Sequence, residues 1–181
     1  MPTKLKVETH SSERLEEDAV TLLLACHDRI RHFTELAERL ALNPGSPARD
    51  RQEAAGAVLR YYQVGLPLHE ADENESIYPR LHRKLPPGYL AAANESMVQQ
   101  HTAIDALVAE LLPLWQAIAE NPEAQKRVSN ELRDRVKQLQ QLWTTHLRLE
   151  EQDVVPAMRA FLSEQDLKAI ATEMRARRQT T

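Results

Sequence analysis

His69-Glu70-Ala71-Asp72-Glu73-Asn74-Glu75-Ser76-Ile77-Tyr78-Pro79 and His146-Leu147-Arg148-Leu149-Glu150-Glu151-Gln152-Asp153-Val154-Val155-Pro156 decide the fold of this chain. Each stretch reads His-x-x-x-Glu, with apolar residues before a proline ten positions after the histidine. Residues four apart lie one above the other on a helix. His69 and Glu73 therefore share a face, as do His146 and Glu150. Apolar residues at helical spacing surround both pairs: Leu66, Ile77 and Leu81 near the first, and Leu142, Leu149 and Val154 near the second. Each stretch also has one histidine upstream, His27 for the first and His101 for the second. One His-x-x-x-Glu pair would be an ordinary contact on a helix surface. Two pairs with the same downstream proline and one matching upstream histidine each are not ordinary.

The rest of the chain reads as helix. It has 181 residues, enough for one domain with a core. Only 4 are glycine, and strong helix formers dominate. Helix 1 is expected over Ser12–Ala41, ended by Asn43-Pro44-Gly45, after a loose arm over 1–11 that contains His10. Helix 2 is expected from Ser46-Pro47, serine as cap and proline at the first position, to about Leu85. Gly65 and Pro67 predict a kink or bulge just before His69. Helix 3 is expected over Tyr89–Glu120 with a bend at Pro113, and helix 4 from Asn121-Pro122 to about Pro156. A short fifth helix is expected over Ser163–Arg177. The expected fold is all-α, an up-down-up-down four-helix bundle over 12–160 with a short C-terminal helix and tail over 161–181. The two halves look like one helical hairpin used twice.

Composition excludes several functions. The net charge is −4 and spread along the chain, without a basic stripe for nucleic acid. No run of 18 apolar residues is present, so a membrane span is not expected. One cysteine, Cys26, excludes an internal disulfide framework and reads as a small buried hydrophobe. The N-terminus lacks an apolar signal core, and a cytoplasmic location is expected.

Four imidazoles and two carboxylates on four core-facing helix stripes are the inventory of a buried two-metal site. Burying such groups without partners costs on the order of several kcal/mol each, and a metal offsets that cost. Imidazole with carboxylate suits Fe, Mn, Zn or Ni. Glu73 and Glu150 are the expected bridges. Three further acids are candidates. Glu70 beside His69 is either a ligand or a support. Glu151 competes with Glu150, which the repeat favours. Asp105, four residues after His101, is either a ligand or a solvated helix residue. His32 and His82 are placed outside the site.

These residues together resemble the hemerythrin-like, or HHE cation-binding, family over about residues 15–160. The resemblance implies a non-haem di-iron centre held by His27, His69, Glu73, His101, His146 and a carboxylate at Glu150 or Glu151, with Zn, Ni or Mn as substitutes. Oxygen-carrying members place a second histidine one turn after the helix 3 histidine, where this chain has Asp105. Glu70 resembles variant centres of iron-responsive members. The expected function is binding of dioxygen or a related small ligand, or sensing of iron or oxygen, rather than turnover. The alternatives are iron storage, a nitric oxide or oxidative-stress role, and a structural helical module. No output domain is expected in these 181 residues, so sensing would need a protein partner or a homodimer.

Overall fold

The computed structural model describes residues 18–179, and among them every regular element is helical. Helix α1 (Ala19–Leu42) starts on Asp18, whose carboxylate accepts the Thr21 N–H at 2.8 Å. That is a standard N-cap arrangement. The expected start at Ser12, the arm over 1–11 and His10 lie outside the described residues. Helix α2 spans 48–84 with mixed winding: α-helical Ala48–Arg60, π-helical Tyr61–Gly65, α-helical Leu66–Ala71, π-helical Asp72–Ile77 and α-helical Tyr78–Lys84. Pro47, not Ser46, occupies its cap position and makes no side-chain cap bond. Helix α3 (Ala91–Glu120) begins two residues later than expected and passes through Pro113 as continuous α-helix. Helix α4 spans 125–161 after a 3₁₀ turn, Pro122–Ala124, which Asn121 caps through the Glu123 N–H. It too has a π-helical stretch, Glu150–Val154. Helix α5 (Glu164–Gln179) follows a capping box in which Ser163 and Asp166 bond each other's backbone N–H.

The apolar side chains form two separate cores. One holds Ile30 from α1, Val58, Tyr62 and Leu66 from α2, Ile104, Leu111 and Trp115 from α3, and Leu132, Leu139, Trp143 and Leu147 from α4. The other holds Leu23 and Cys26 from α1, Ile77 and Leu81 from α2, Met97 from α3, Val154 and Met158 from α4, and Ile170 and Met174 from α5. Each of the first four helices crosses from one core to the other, and the order alternates. α1 and α3 run from the second core to the first, while α2 and α4 run back. The topology is therefore up-down-up-down. α3 is long and apolar enough by composition to cross a membrane, with mean hydropathy 1.3. Its apolar stripe is part of both cores.

Between the two cores lies one polar layer, made of His27, His69, Glu73, His146 and Glu150, all buried, with His101 at its edge. The end of the bundle that carries the first core is pinned by Arg51. Its guanidinium donates to Ser46 O, Pro122 O and Glu123 and so ties the α1–α2 connection to the α3–α4 connection. The other end is closed by α5, which lies against α1 and the second π stretch of α2. Arg177 and Arg178 each donate to one oxygen of the buried Asp72, at 2.9 and 2.6 Å. Arg177 also reaches Ser76 and Glu75, and Glu173 is gripped by Arg80 at 2.6 Å and accepts from the Ser76 hydroxyl. These bonds hold the outer face of the turn that carries Glu73. Hydrogen bonds to charged groups contribute about 1.5–3 kcal/mol each. Replacing Asp72 by Asn should lower stability by about 2 kcal/mol in urea denaturation of the metal-free protein, and an unchanged midpoint would contradict this role.

Candidate metal centre

The proline in each repeated motif has a structural consequence. Proline has no N–H and its ring clashes with the carbonyl four residues back. The chain answers with a wider turn. Tyr78 N–H bonds Glu73 O, and Val155 N–H bonds Glu150 O, five residues back in each case. The residue that follows is Pro79 in one and Pro156 in the other. The same device precedes Pro67, where Leu66 N–H bonds Tyr61 O. The expected bulge before His69 is this turn. The two at the glutamates were not anticipated, because a search for helical period assumes a constant winding. Such π turns recur at functional sites. Here each of the two begins at or beside a buried glutamate.

Four helices bring their polar groups to one level. His27 Nε2 lies 2.9 Å from Glu150 Oε2, and His69 Nε2 lies 3.0 Å from Glu73 Oε1. His101 Nε2 lies 3.3 Å from Glu73 Oε2 and 3.2 Å from His146 Nε2. His146 Nε2 is 3.7 Å from Glu150 Oε2. The donors form two groups that share Glu73: His27, His69, Glu73 and Glu150 in one, and Glu73, His101 and His146 in the other. The glutamate of each hairpin thus reaches the upstream histidine of the other.

Metal fits this arrangement on the geometry alone. His27 Nε2, His69 Nε2, both Glu73 oxygens and Glu150 Oε2 are buried and make no aligned hydrogen bond. They sit close together yet do not aim at one another. Two ligand atoms at about 2.1 Å from one ion and at right angles are about 3 Å apart, which is the spacing seen. Burial lowers the basicity of His27, His69 and His101, but the facing glutamates win and raise all three above the ordinary imidazole value. Burial likewise opposes ionisation of Glu73, yet His69 and His101 hold its carboxyl well below the usual range. Burial and the neighbouring Glu73 charge push Glu150 up to about 7. Burial takes His146 down to about 3. Protons therefore occupy the layer that cations would fill.

The structure resolves the competing acids. Glu150 is fully buried and faces the layer. Glu151, 31% exposed, turns outward and takes His27 Nδ1 at 3.0 Å, while Arg31 holds the same carboxylate oxygen at 2.7 Å. Glu151 thus orients His27 and joins neither donor group. Glu70 and Asp105 also belong to neither group. They neighbour each other, and burial together with the Asp105 charge pushes Glu70 up to about 7. Asp105 itself is exposed. His32 is exposed and meets Phe33 edge-on, and His82 is exposed near Asn94.

Three participants escaped the sequence reading. Tyr78 donates its hydroxyl to Glu150 Oε1 at 3.1 Å. It stands in the apolar run before Pro79, where only its packing was considered. Gln100 Oε1 lies 3.1 Å from His146 Nδ1, and its place beside His101 was the only signal. Cys26 is more than a hydrophobe. Arg178 and Arg29 donate to its sulfur at 3.2 and 3.4 Å. Burial pushes the thiol up, but His69 and the two guanidiniums bring it below the ordinary value.

The model of the hemerythrin HHE cation binding domain family matches residues 18–158 and, overlapping, residues 92–180. The first match covers most of the chain, so the chain belongs to this family. The second starts just after the midpoint and spans the second hairpin and α5. No curated protein matches the chain.

Since protons occupy the layer, divalent metal must displace them. The imidazoles of His27, His69 and His101 are protonated below their raised pKa values, and Glu150 below about 7, so affinity should fall as pH falls. Calorimetric titration with Co(II) at pH 6, 7 and 8 should show tighter binding at each step up and net proton release. Affinity independent of pH would contradict the displacement.

Proposed function

We propose that this cation-binding bundle is a non-haem di-iron protein whose pair of irons takes dioxygen or a related small ligand. The observation that carries the reading is the placement of Glu73. Its two oxygens face histidines of different hairpins, His69 at 3.0 Å and His101 at 3.3 Å. A carboxylate set this way spans two ions. His27, His69, Glu73 and Glu150 would hold one iron, and His101, His146 and Glu73 the other. Four-helix bundles also hold carboxylate-bridged iron pairs through inward Glu and Glu-x-x-His motifs, a different spacing from the His-x-x-x-Glu pairs of this chain. Histidine with carboxylate is a donor set suited to iron.

Bound ferrous iron would supply electrons and a Lewis-acid position for the small ligand. The chain's own groups do the rest. Glu151, held by Arg31, fixes the tautomer and ring angle of His27 by accepting its Nδ1–H. Tyr78 donates to Glu150 Oε1 and leaves Oε2 to face the layer. The apolar cores on both sides, with Leu23, Ile77 and Val154 on one and Ile104, Leu111 and Leu147 on the other, exclude water from the pair. A sensing role is the second reading. It is favoured by the bonds from Arg177 and Arg178 to Asp72, next in sequence to Glu73, which would couple metal occupancy to α5.

Protein loaded with iron without air should contain two irons per chain, and exposure to air should bring up charge-transfer absorption in the near ultraviolet. Glu73→Gln should lower the iron content to one or none while the far-ultraviolet circular dichroism stays helical. Two irons retained in that variant would contradict the bridging role. Two irons with no spectral response to air would remove the dioxygen reading and leave storage or sensing.

A further inference from the structure

Two of the layer's imidazoles have their outer nitrogen against a polar side chain. His27 Nδ1 meets Glu151 at 3.0 Å, and His146 Nδ1 meets Gln100 at 3.1 Å. A ligating histidine almost always donates its second ring N–H to such a group, which fixes the tautomer and the aim of the ring. His69 is different. Its Nε2 faces Glu73 at 3.0 Å, and its Nδ1 is buried without an aligned hydrogen bond. The residue is 1% exposed, so bulk water does not reach that nitrogen. A buried N–H left without an acceptor is destabilising.

The side-chain partner that His69 does have besides Glu73 is the sulfur of Cys26. Since Nε2 faces Glu73, the nitrogen left for the sulfur is Nδ1. Cys26 precedes His27 on α1 and is buried. Its sulfur is held from outside the layer. Arg178 Nη2 donates to Sγ at 3.2 Å, and Arg29 Nη2 at 3.4 Å. The same Arg178 nitrogen donates to Asp72 Oδ2 at 2.6 Å, three residues after His69 and next to Glu73. So α1, α2 and α5 meet at this sulfur. Guanidinium N–H groups do not gather on an inert apolar group. Two of them on one sulfur show that its lone pairs act as acceptors, the role that the imidazole N–H beside it requires.

We propose that Cys26 is a positioning residue of the metal centre: its sulfur accepts the Nδ1–H of His69 and so aims Nε2 into the layer, while Arg178 and Arg29 hold the sulfur in place. This role rests on the layer being a metal centre, whatever the number of its ions. Cys26 does for His69 what Glu151 does for His27 and Gln100 for His146. Through Arg178 the sulfur is also joined to Asp72, so one side chain of α5 supports both His69 and the neighbour of Glu73. Alanine at position 26 would remove the acceptor and little else. Serine would keep an acceptor on a shorter bond.

Calorimetric titration of the full-length metal-free protein with Zn(II), joined to NMR of the Zn(II)-loaded protein with nitrogen-15 in its histidines, tests this. In the unaltered protein His69 should carry its proton on Nδ1. Cys26→Ala should bind Zn(II) about tenfold or more weakly and shift the His69 Nδ1–H resonance, while the Nδ1 resonance of His146 stays in place. Cys26→Ser should recover part of the affinity. Unchanged Zn(II) affinity in Cys26→Ala overturns the role, and so does a His69 Nδ1 without a proton in the Zn(II)-loaded unaltered protein. A loss that Cys26→Ser does not restore at all also overturns it, since that is the pattern of packing alone. Failure of the unaltered protein to take up Zn(II) defeats the metal centre itself, and the role falls with it. Should Cys26→Ala not fold, the position of the His69 proton in the unaltered protein decides.

Discussion

A layer of ionisable groups cut across an apolar bundle has to be satisfied from within, and the rest of this structure is arranged around that constraint. Above and below the layer the helices pack as ordinary amphipathic elements, with Tyr62 stacked on Trp115 in one core and Met158, Ile170 and Met174 filling the other. Within it, two carboxylates and four imidazoles face one another, and His27 Nε2, His69 Nε2, both Glu73 oxygens and Glu150 Oε2 make no aligned hydrogen bond. In the metal-free protein, protons shared among the imidazoles and Glu150 reduce the cost of burial. Cations would reduce it further, because each accepts several of these lone pairs at once. The hairpin repeat has a direct use here. Each hairpin supplies its own histidines to one half, and its glutamate reaches across to the other hairpin's histidine, so neither half is complete alone.

Proline is the second element of the design. Pro79 and Pro156 each forbid the regular hydrogen bond, and the wider turn that results begins at the layer. Winding is altered where the side chains must converge. Around the first of these turns the outer face is held by α5, through Asp72, Glu75 and Ser76. Glu73 is therefore fixed from both sides, by the histidines within the layer and by the arginines of α5 on the neighbouring residue.

Much of this was legible in the residues. The doubled His-x-x-x-Glu motif, His27 and His101 named the six groups that the layer brings together, and the helix-forming composition with its proline and glycine breaks outlined the four long helices. Helix ends drifted by a few residues, as at Ser46 and Tyr89, since capping depends on backbone angles that residue type only biases. The winding of α2 and α4 was not legible, because periodicity is read with one pitch for the whole helix. Glu150 faces the layer, while Glu151 turns outward to His27 Nδ1 and Arg31. Glu70 and Asp105 were ambiguous because a carboxylate one turn from a histidine can face the layer, another acid or water, and only the neighbouring helix decides. Tyr78 and Arg31 act through long-range contacts, for which sequence spacing carries no signal, and Gln100 had only its place beside His101.

The proposed function requires a pair of ions with Glu73 between them. Anomalous diffraction from crystals of the metal-loaded protein measures that directly. Two peaks about 3.5–4 Å apart, one beside His27 and His69 and the other beside His101 and His146, with a Glu73 oxygen on each, is the predicted result. A single peak in the layer, or two peaks with Glu73 bound to only one, would contradict it.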